Sequence, residues 1–263
     1  MIDLAASTLL GCAAAAGALA WTAAGQGSHT LSQRVEQAGS SVLLGSRVQH
    51  AAYWVAQPLG RTLVRAGVSA NAITIASVPL AAGAAAAFAA RHWGVGALLG
   101  GISYACDALD GLVARATGTA SKSGEVLDAV CDRICEALML GGVAIAWRTS
   151  VPLLALALFA GLGAQQVTLA SAKAEVFPSA RQHVPRGVMR RAERAFYFIG
   201  AAAVAGALQD LLPPMYPPPV AQLPLVFAMV LVGVVGNASA LHRFASLARA
   251  LRQEADEGHR AGA

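Results

Sequence analysis

Residues 94–146 read GVGALLGGISYACDALDGLVARATGTASKSGEVLDAVCDRICEALMLGGVAIA, and the rest of the architecture can be inferred from this stretch. Its two apolar segments, 94–114 and 124–146, each approach the ~20 residues that an α-helix needs to cross a bilayer. Only a short polar segment, 117–123, lies within the link between them. The stretch therefore predicts two antiparallel membrane helices joined by a tight turn.

The composition is typical of a membrane protein. The chain has 263 residues, of which 56% are hydrophobic and 13% charged, and its mean hydropathy is +0.56. Soluble domains carry about 25% charged residues, so this composition excludes the ordinary soluble classes. It also argues against an outer-membrane β-barrel, whose strands alternate polar and apolar residues. We expect an all-α integral membrane protein whose Ala- and Gly-rich helices pack closely.

Six apolar segments predict a six-transmembrane-helix bundle. An amphipathic interfacial helix and an extra N-terminal hydrophobic helix precede the bundle, and a polar tail follows it. The N-terminal helix is expected to be retained and not cleaved as a signal peptide, since Asp3 is its only early charge. The predicted domain boundaries are 1–45 for this helix and its linker, 46–244 for the membrane domain and 245–263 for the tail. Within the membrane domain, the interfacial helix is predicted at 46–66. The six spans are predicted at 72–90, 94–114, 124–146, 151–172, 195–212 and 220–241.

The basic residues indicate orientation and not nucleic-acid binding. The net charge is +5 and the pI about 9.4, but the Lys and Arg residues concentrate in alternate links between the predicted spans. This is the asymmetry of cytoplasmic loops. We therefore expect a multi-pass protein of the cell inner membrane, with no nucleic-acid partner and with both ends of the six-helix unit in the cytoplasm.

The acidic residues are concentrated where apolar side chains would be expected. Six of the fourteen acids lie between Asp107 and Glu136. Pairing with nearby basic residues would neutralise only three of them. Asp107 and Asp110 are three residues apart, and Asp128 and Asp132 four apart, so each pair occupies one helix face.

Two antiparallel helices can aim these four carboxylates at one point. Crowded carboxylates repel one another unless cations neutralise them, and their hard oxygens suit Mg²⁺ or Mn²⁺. Magnesium also commonly binds substrate phosphates. The pattern therefore predicts a site for two metal ions and a diphosphate substrate, with a divalent-cation carrier or channel as the alternative.

The full pattern is D-x2-D-G-x2-A-R-x8-G-x3-D-x3-D, from Asp107 to Asp132. Here the sequence resembles the CDP-alcohol phosphatidyltransferase family, over about residues 46–241. The resemblance implies a six-helix membrane enzyme of phospholipid biosynthesis, usually a homodimer. Such an enzyme transfers a phosphatidyl or similar group from a CDP-alcohol, such as CDP-diacylglycerol, to an alcohol acceptor and releases CMP.

The resemblance also assigns roles to residues. It implies that Asp107, Asp110, Asp128 and Asp132 hold the Mg²⁺ or Mn²⁺ ions and that Asp132 is the catalytic base. The residues that would contact the cytidine and diphosphate are Gly111, Ala114, Arg115 and Gly124. Residues 67–74 resemble the segment that opens the family's first span, in which Asn71 would either cap the helix or approach the nucleotide.

The acceptor is less closely specified. Basic residues in the segment 173–194 are candidates for binding an acceptor phosphate: Lys173, Arg191 and Arg194. In relatives that use inositol phosphate, a lysine stands where this chain has Ser171, and this departure weighs against inositol phosphate. Glycerol phosphate, inositol phosphate and an unphosphorylated alcohol remain alternative acceptors.

Overall fold

The computed structural model describes residues 1–23, 45–177, 188–212 and 218–261, and all regular structure in these ranges is α-helical. The all-α prediction is thus confirmed for the described residues. The helices are α1 (Ile2–Ala23), α2 (Gly45–Arg65), α3 (Ala70–Ala89), α4 (Trp93–Thr117), α5 (Lys122–Ala146), α6 (Val151–Val176), α7 (Arg191–Leu211), α8 (Pro218–Ala221) and α9 (Leu223–Ala261).

Five of the described helices are long and apolar enough to cross a membrane: α1, α3, α4, α6 and α9. The chain is therefore a multi-pass α-helical membrane protein. The predicted spans 124–146 and 195–212 form α5 and α7, but charged residues lower the apolar character of both helices. Length and composition thus do not confirm the count of six.

The core forms where the helices converge. Its largest buried side chains come from α3, α4, α5 and α9, and include Phe88, Trp93, Met139, Leu225 and Met229. α3 packs against α4 and α5, whereas α9 packs against α6 and α7. A further contact between α4 and α7 connects these two groups of helices. The α4–α5 pair is thereby contacted by α3 and by α7.

Small residues allow several of these contacts, as the composition suggests. Gly142 of α5 lies directly against the backbone of Ala85 in α3, so that a Cβ at position 142 would overlap it. Gly100 of α4 similarly faces Ile199 and Met139. Close backbone approach is the usual packing mode of membrane helices, which gain little from a hydrophobic effect inside lipid.

The last helix extends beyond the predicted end of its span. α9 continues to Ala261, so the predicted polar tail from residue 245 begins as a continuation of this helix. Its sequence there is rich in Ala, Leu, Arg and Glu, which favour helix formation without help from lipid.

The N-terminal helix contacts the start of α4 and the end of α7 through side-chain hydrogen bonds and an ion pair. The Asp3 carboxylate is buried and accepts hydrogen bonds from Gly94 N at 2.8 Å and Val95 N at 3.2 Å. It therefore caps α4, whose own N-cap residue, His92, makes no side-chain cap hydrogen bond. At the end of α7, Asp210 pairs with the Met1 amino group and accepts from Leu4 N.

We expect Asp3→Ala to destabilise the bundle by about 1–2 kcal/mol, the usual cost of losing a cap. The measurement is thermal unfolding of the purified protein in detergent. Thr8→Ala is the control, because the Thr8 hydroxyl is exposed and donates only within its own helix, to Ala5 O. Equal melting temperatures for the two variants would contradict the capping role of Asp3.

Candidate active site

The turn between α4 and α5 has the geometry required to bring their acids together. α4 ends at Thr117 and is followed by its C-cap residue, Gly118, whose φ of 68° is left-handed, a conformation that glycine adopts without strain. α5 begins after Ser121, whose Oγ accepts a hydrogen bond from Gly124 N at 3.1 Å. These two caps reverse the chain within a few residues.

Three of the four predicted carboxylates meet across the two helices. Asp107 and Asp110 of α4 and Asp128 of α5 each place one oxygen within 4.8 Å of the others. Thr74 of α3 donates its hydroxyl proton to Asp110 Oδ2 at 2.6 Å, in a buried hydrogen bond. The cluster is therefore supported by three consecutive helices.

The cluster has the donor set of a divalent-cation site. Asp128 Oδ1 is buried and has no hydrogen-bond partner among the described residues. A buried carboxylate oxygen without a partner is costly, and a cation would satisfy it. Three clustered carboxylates also match the hard oxygen ligands that Mg²⁺ and Mn²⁺ take.

Asp132 lies one turn beyond Asp128 on α5 and outside the group of three. An arginine at the start of α7, Arg191, links it to the group. Arg191 Nη2 pairs with Asp132 Oδ1, and Arg191 Nη1 pairs with Asp107 Oδ1 at 2.8 Å. The same guanidinium lies 5.4 Å from the centre of the Tyr104 ring. All four acids are thus joined in one electrostatic unit.

A second, buried ion pair lies behind Asp132. Arg194 donates from Nε to Glu136 Oε1 at 2.7 Å and from Nη2 to Glu136 Oε2 at 3.0 Å. Arg194 Nη1 also donates to Met189 O at 2.7 Å. The pair joins α5 to the start of α7, and each of the three guanidinium nitrogens of Arg194 donates a hydrogen bond. The sequence suggested Arg194 as a candidate for binding an acceptor phosphate and did not predict its pairing with Glu136.

The residues of the predicted nucleotide-binding set lie around the same helix ends. Arg115 is exposed, and its Nη1 would lie 3.0 Å from a Cβ added at Gly111, so the glycine makes room for the guanidinium. Ala114 is partly buried on the same helix. Gly124 faces Asn71 Oδ1, since an added Cβ would lie 3.6 Å from that atom. Ser69, and not Asn71, caps α3.

One buried basic residue was missed from the sequence. Arg243 of α9 is 6% exposed and donates from Nη1 to Ser171 Oγ of α6 at 2.5 Å. From sequence it counts only as one of the basic residues after the predicted span 220–241. Only its position along the helix indicates burial, because Arg243 lies four residues from Ser239 and from Leu247, and all three side chains are buried on one face of α9. Lys173, by contrast, is exposed near the end of α6.

Comparison with known proteins gives a consistent result. Residues 67–235 match the family model of CDP-alcohol phosphatidyltransferases. The chain is also similar to the archaetidylinositol phosphate synthase of Pyrococcus horikoshii, at 32% identity over 145 residues, which cover 53% of this chain and 73% of the relative.

Solved structures show the same similarity. The phosphatidylinositol phosphate synthase of Mycobacterium tuberculosis with CDP-DAG bound aligns with a TM-score of 0.61 at 26% identity, over 73% of this chain and 92% of the other. The structure of that enzyme in complex with manganese and citrate has a TM-score of 0.61 and 26% identity, and the alignment covers 73% and 88% of the two chains.

Replacing Thr74 by valine should weaken binding of Mn²⁺ by about tenfold, because the hydroxyl that orients Asp110 is lost. Electron paramagnetic resonance of free Mn²⁺ during a titration measures this affinity. Thr117→Val is the matched control, since Thr117 bonds to Val113 O and Thr119 at the end of α4. An unchanged affinity in Thr74→Val would contradict the orienting role.

Proposed function

The chain belongs to the CDP-alcohol phosphatidyltransferase family, and from this premise we propose that it transfers the phosphatidyl group of CDP-diacylglycerol to a phosphorylated polyol and releases CMP. The chain is an enzyme of phospholipid biosynthesis, as its sequence predicts. The donor and acceptor are proposed from the site and from what the relatives are named for. Family membership accounts for the acid cluster, so a cation carrier or channel is no longer needed to explain it.

The observation that carries the proposal is the meeting of Asp107, Asp110 and Asp128 across the α4–α5 turn, with Asp132 one turn away. We assign these four residues to two Mg²⁺ or Mn²⁺ ions. When bound, such ions would neutralise the donor's diphosphate and stabilise the departing CMP. The manganese in the M. tuberculosis structure supports a divalent cation in this family.

The protein residues position the two substrates. We assign the contacts with the donor's cytidine and diphosphate to Gly111, Ala114, Arg115 and Gly124. The Asn71 side chain faces Gly124. Asp132 is the base that accepts the proton of the attacking acceptor hydroxyl. The oxygen of that hydroxyl then bonds to the phosphorus of the phosphatidyl group, while the bond from this phosphorus to the CMP oxygen breaks.

The acceptor is proposed to be inositol phosphate, with glycerol phosphate as the second choice. Both relatives described above are named as inositol phosphate lipid synthases. Ser171 stands where such relatives have a lysine, but Arg243 donates directly to Ser171 Oγ. Its guanidinium thus places a positive charge beside the position from which the lysine charge is missing, and an arginine fork suits phosphate. Arg191 and Lys173 remain candidates at the same end of the bundle, whereas Arg194 supports the site through Glu136.

The membrane arrangement follows from the same assignment. We assign α3, α4, α5, α6, α7 and α9 to the six spans, with α1 as an additional span and α2 at the interface. The charged ends of α4 and α5 face the cytoplasm of the inner membrane, where a polar acceptor arrives. The donor's acyl chains enter from the bilayer, and the enzyme acts as a homodimer.

Asp132→Asn should lower CMP release by at least about 100-fold, the usual contribution of a general base, while the melting temperature stays near that of the wild type. The assay uses purified enzyme, CDP-diacylglycerol, Mg²⁺ and the acceptor. Glu125→Gln is the control, because Glu125 is an exposed acid in the first turn of the same helix. Wild-type turnover in Asp132→Asn would remove Asp132 from the chemistry.

Arg243→Gln should raise the KM for inositol phosphate by about tenfold or more, since a hydrogen bond to a charged group is lost. The KM for CDP-diacylglycerol and kcat should change less than about twofold. Arg249→Gln on the same helix is the control, because Arg249 bonds to Ala245 O and Ser246 Oγ. Equal effects on both substrates, or equal effects of both variants, would contradict an acceptor site at Arg243.

A further inference from the structure

We propose that Arg191 is an exchangeable counter-ion, which competes with a divalent cation for Asp107 and Asp132 and binds substrate phosphate once it is displaced. This inference rests on the proposed function in one respect, the presence of a metal site at the four acids. It adds a coupling between metal binding and phosphate binding, carried by one side chain.

The geometry of Arg191 places it between the two halves of the site. One guanidinium nitrogen contacts Asp107, which belongs to the group of three carboxylates, and the other contacts Asp132, which does not. The two acids lie on different helices, and Arg191 begins a third. The Arg191 side chain is 18% exposed and that of Asp132 12%, so solvent screens this pair weakly, whereas the Asp107 side chain is 39% exposed and its pair is screened more.

The same two carboxylates have both partners. Asp107 Oδ1 and Asp132 Oδ1 each accept a guanidinium proton, and these two side chains are also proposed metal ligands. A cation bound there is repelled by the adjacent guanidinium and finds fewer free carboxylate lone pairs until the guanidinium leaves. Arg191 therefore lowers the affinity for a cation shared by Asp107 and Asp132, and has less effect on one held by Asp110 and Asp128.

Once displaced from the acids, the Arg191 guanidinium can stay near them and bind another anion. Arg191 Nε is buried and has no hydrogen-bond partner among the described residues. The guanidinium also lies near the Tyr104 ring, which can hold a cation without occupying its N–H groups. A phosphate oxygen near the acids would accept from the freed N–H groups, because a guanidinium fork matches phosphate.

Competition and capture together produce thermodynamic coupling. A phosphate ligand that recruits Arg191 removes the competitor from the carboxylates and so raises metal affinity. By linkage, the metal raises phosphate affinity by the same factor. The enzyme would thus bind the metal and the phosphorylated substrate together more tightly than it binds either one alone.

A Mn²⁺ titration of the full-length protein in detergent, followed by electron paramagnetic resonance, tests the competition. Arg191→Gln should tighten the weaker Mn²⁺ site by at least about fivefold, the lower end of common coupling between linked sites. Lys122→Gln is the control, since it removes one exposed positive charge at the start of α5. Equal or weaker Mn²⁺ binding in Arg191→Gln than in the control would overturn the proposal.

The coupling is tested in the same titration with glycerol 3-phosphate or inositol 1-phosphate as the probe. At least one of these should tighten the weaker Mn²⁺ site in the wild type and in Lys122→Gln, and neither should do so in Arg191→Gln. Tightening that persists in Arg191→Gln, or that is absent from the wild type with both probes, would overturn the coupling.

A second measurement uses the wild type, so it does not depend on whether the variant folds. Phenylglyoxal modifies free guanidinium groups, and mass spectrometry reports the extent at each arginine. Arg191 should be protected in metal-free buffer and become reactive at saturating Mn²⁺, and phosphate probe should protect it again. Reactivity that is independent of Mn²⁺ would overturn the proposal.

The outcomes separate this inference from the proposed function. CMP release with normal turnover but no effect of Arg191 on Mn²⁺ binding would leave the function standing and remove the counter-ion role. The predicted Mn²⁺ behaviour without CMP release from any acceptor would support the counter-ion role and remove the function.

Discussion

The structure depends on balancing four carboxylates at the end of an apolar helix bundle. Isolated charges are costly at membrane depth, so such acids need a metal ion, a basic side chain or a hydrogen-bond donor beside them. Here the α4–α5 turn brings Asp107, Asp110 and Asp128 together, and Arg191 extends the group to Asp132. The packing of α3 and α7 against α4 and α5 also helps to stabilise the acids, because Thr74 and Arg191 reach them from α3 and α7.

Much of this could be predicted from the sequence, because the informative residues are local. The spacing of the four acids, Gly118 and Ser121 define two helix ends and a turn within one stretch of chain. The contacts made over long sequence separations could not be predicted in the same way. Arg194 pairs with Glu136, Arg243 with Ser171 and Asp3 with the start of α4, and nothing in a linear charge pattern selects these partners.

The sequence is least informative for the basic residues, because membrane orientation and phosphate binding both explain them. Cytoplasmic loops and phosphate sites both contain arginine, so the segment 173–194 is compatible with orientation and with substrate binding, and the basic residues after the last span are explained by orientation alone. Burial separates them, because a loop residue is expected in water whereas Arg243 is 6% exposed. The charges of α5 and α7 likewise keep these helices from qualifying as spans by composition, although both pack within the bundle.

The central claim is a metal-dependent transfer of a phosphatidyl group. The most direct measurement incubates the purified enzyme with CDP-diacylglycerol and inositol phosphate, identifies the lipid product by mass spectrometry and quantifies CMP. We expect one phosphatidylinositol phosphate for each CMP, with both products lost in EDTA and restored by Mg²⁺. Phosphatidic acid in place of that lipid, or product formation that persists in EDTA, would contradict the claim.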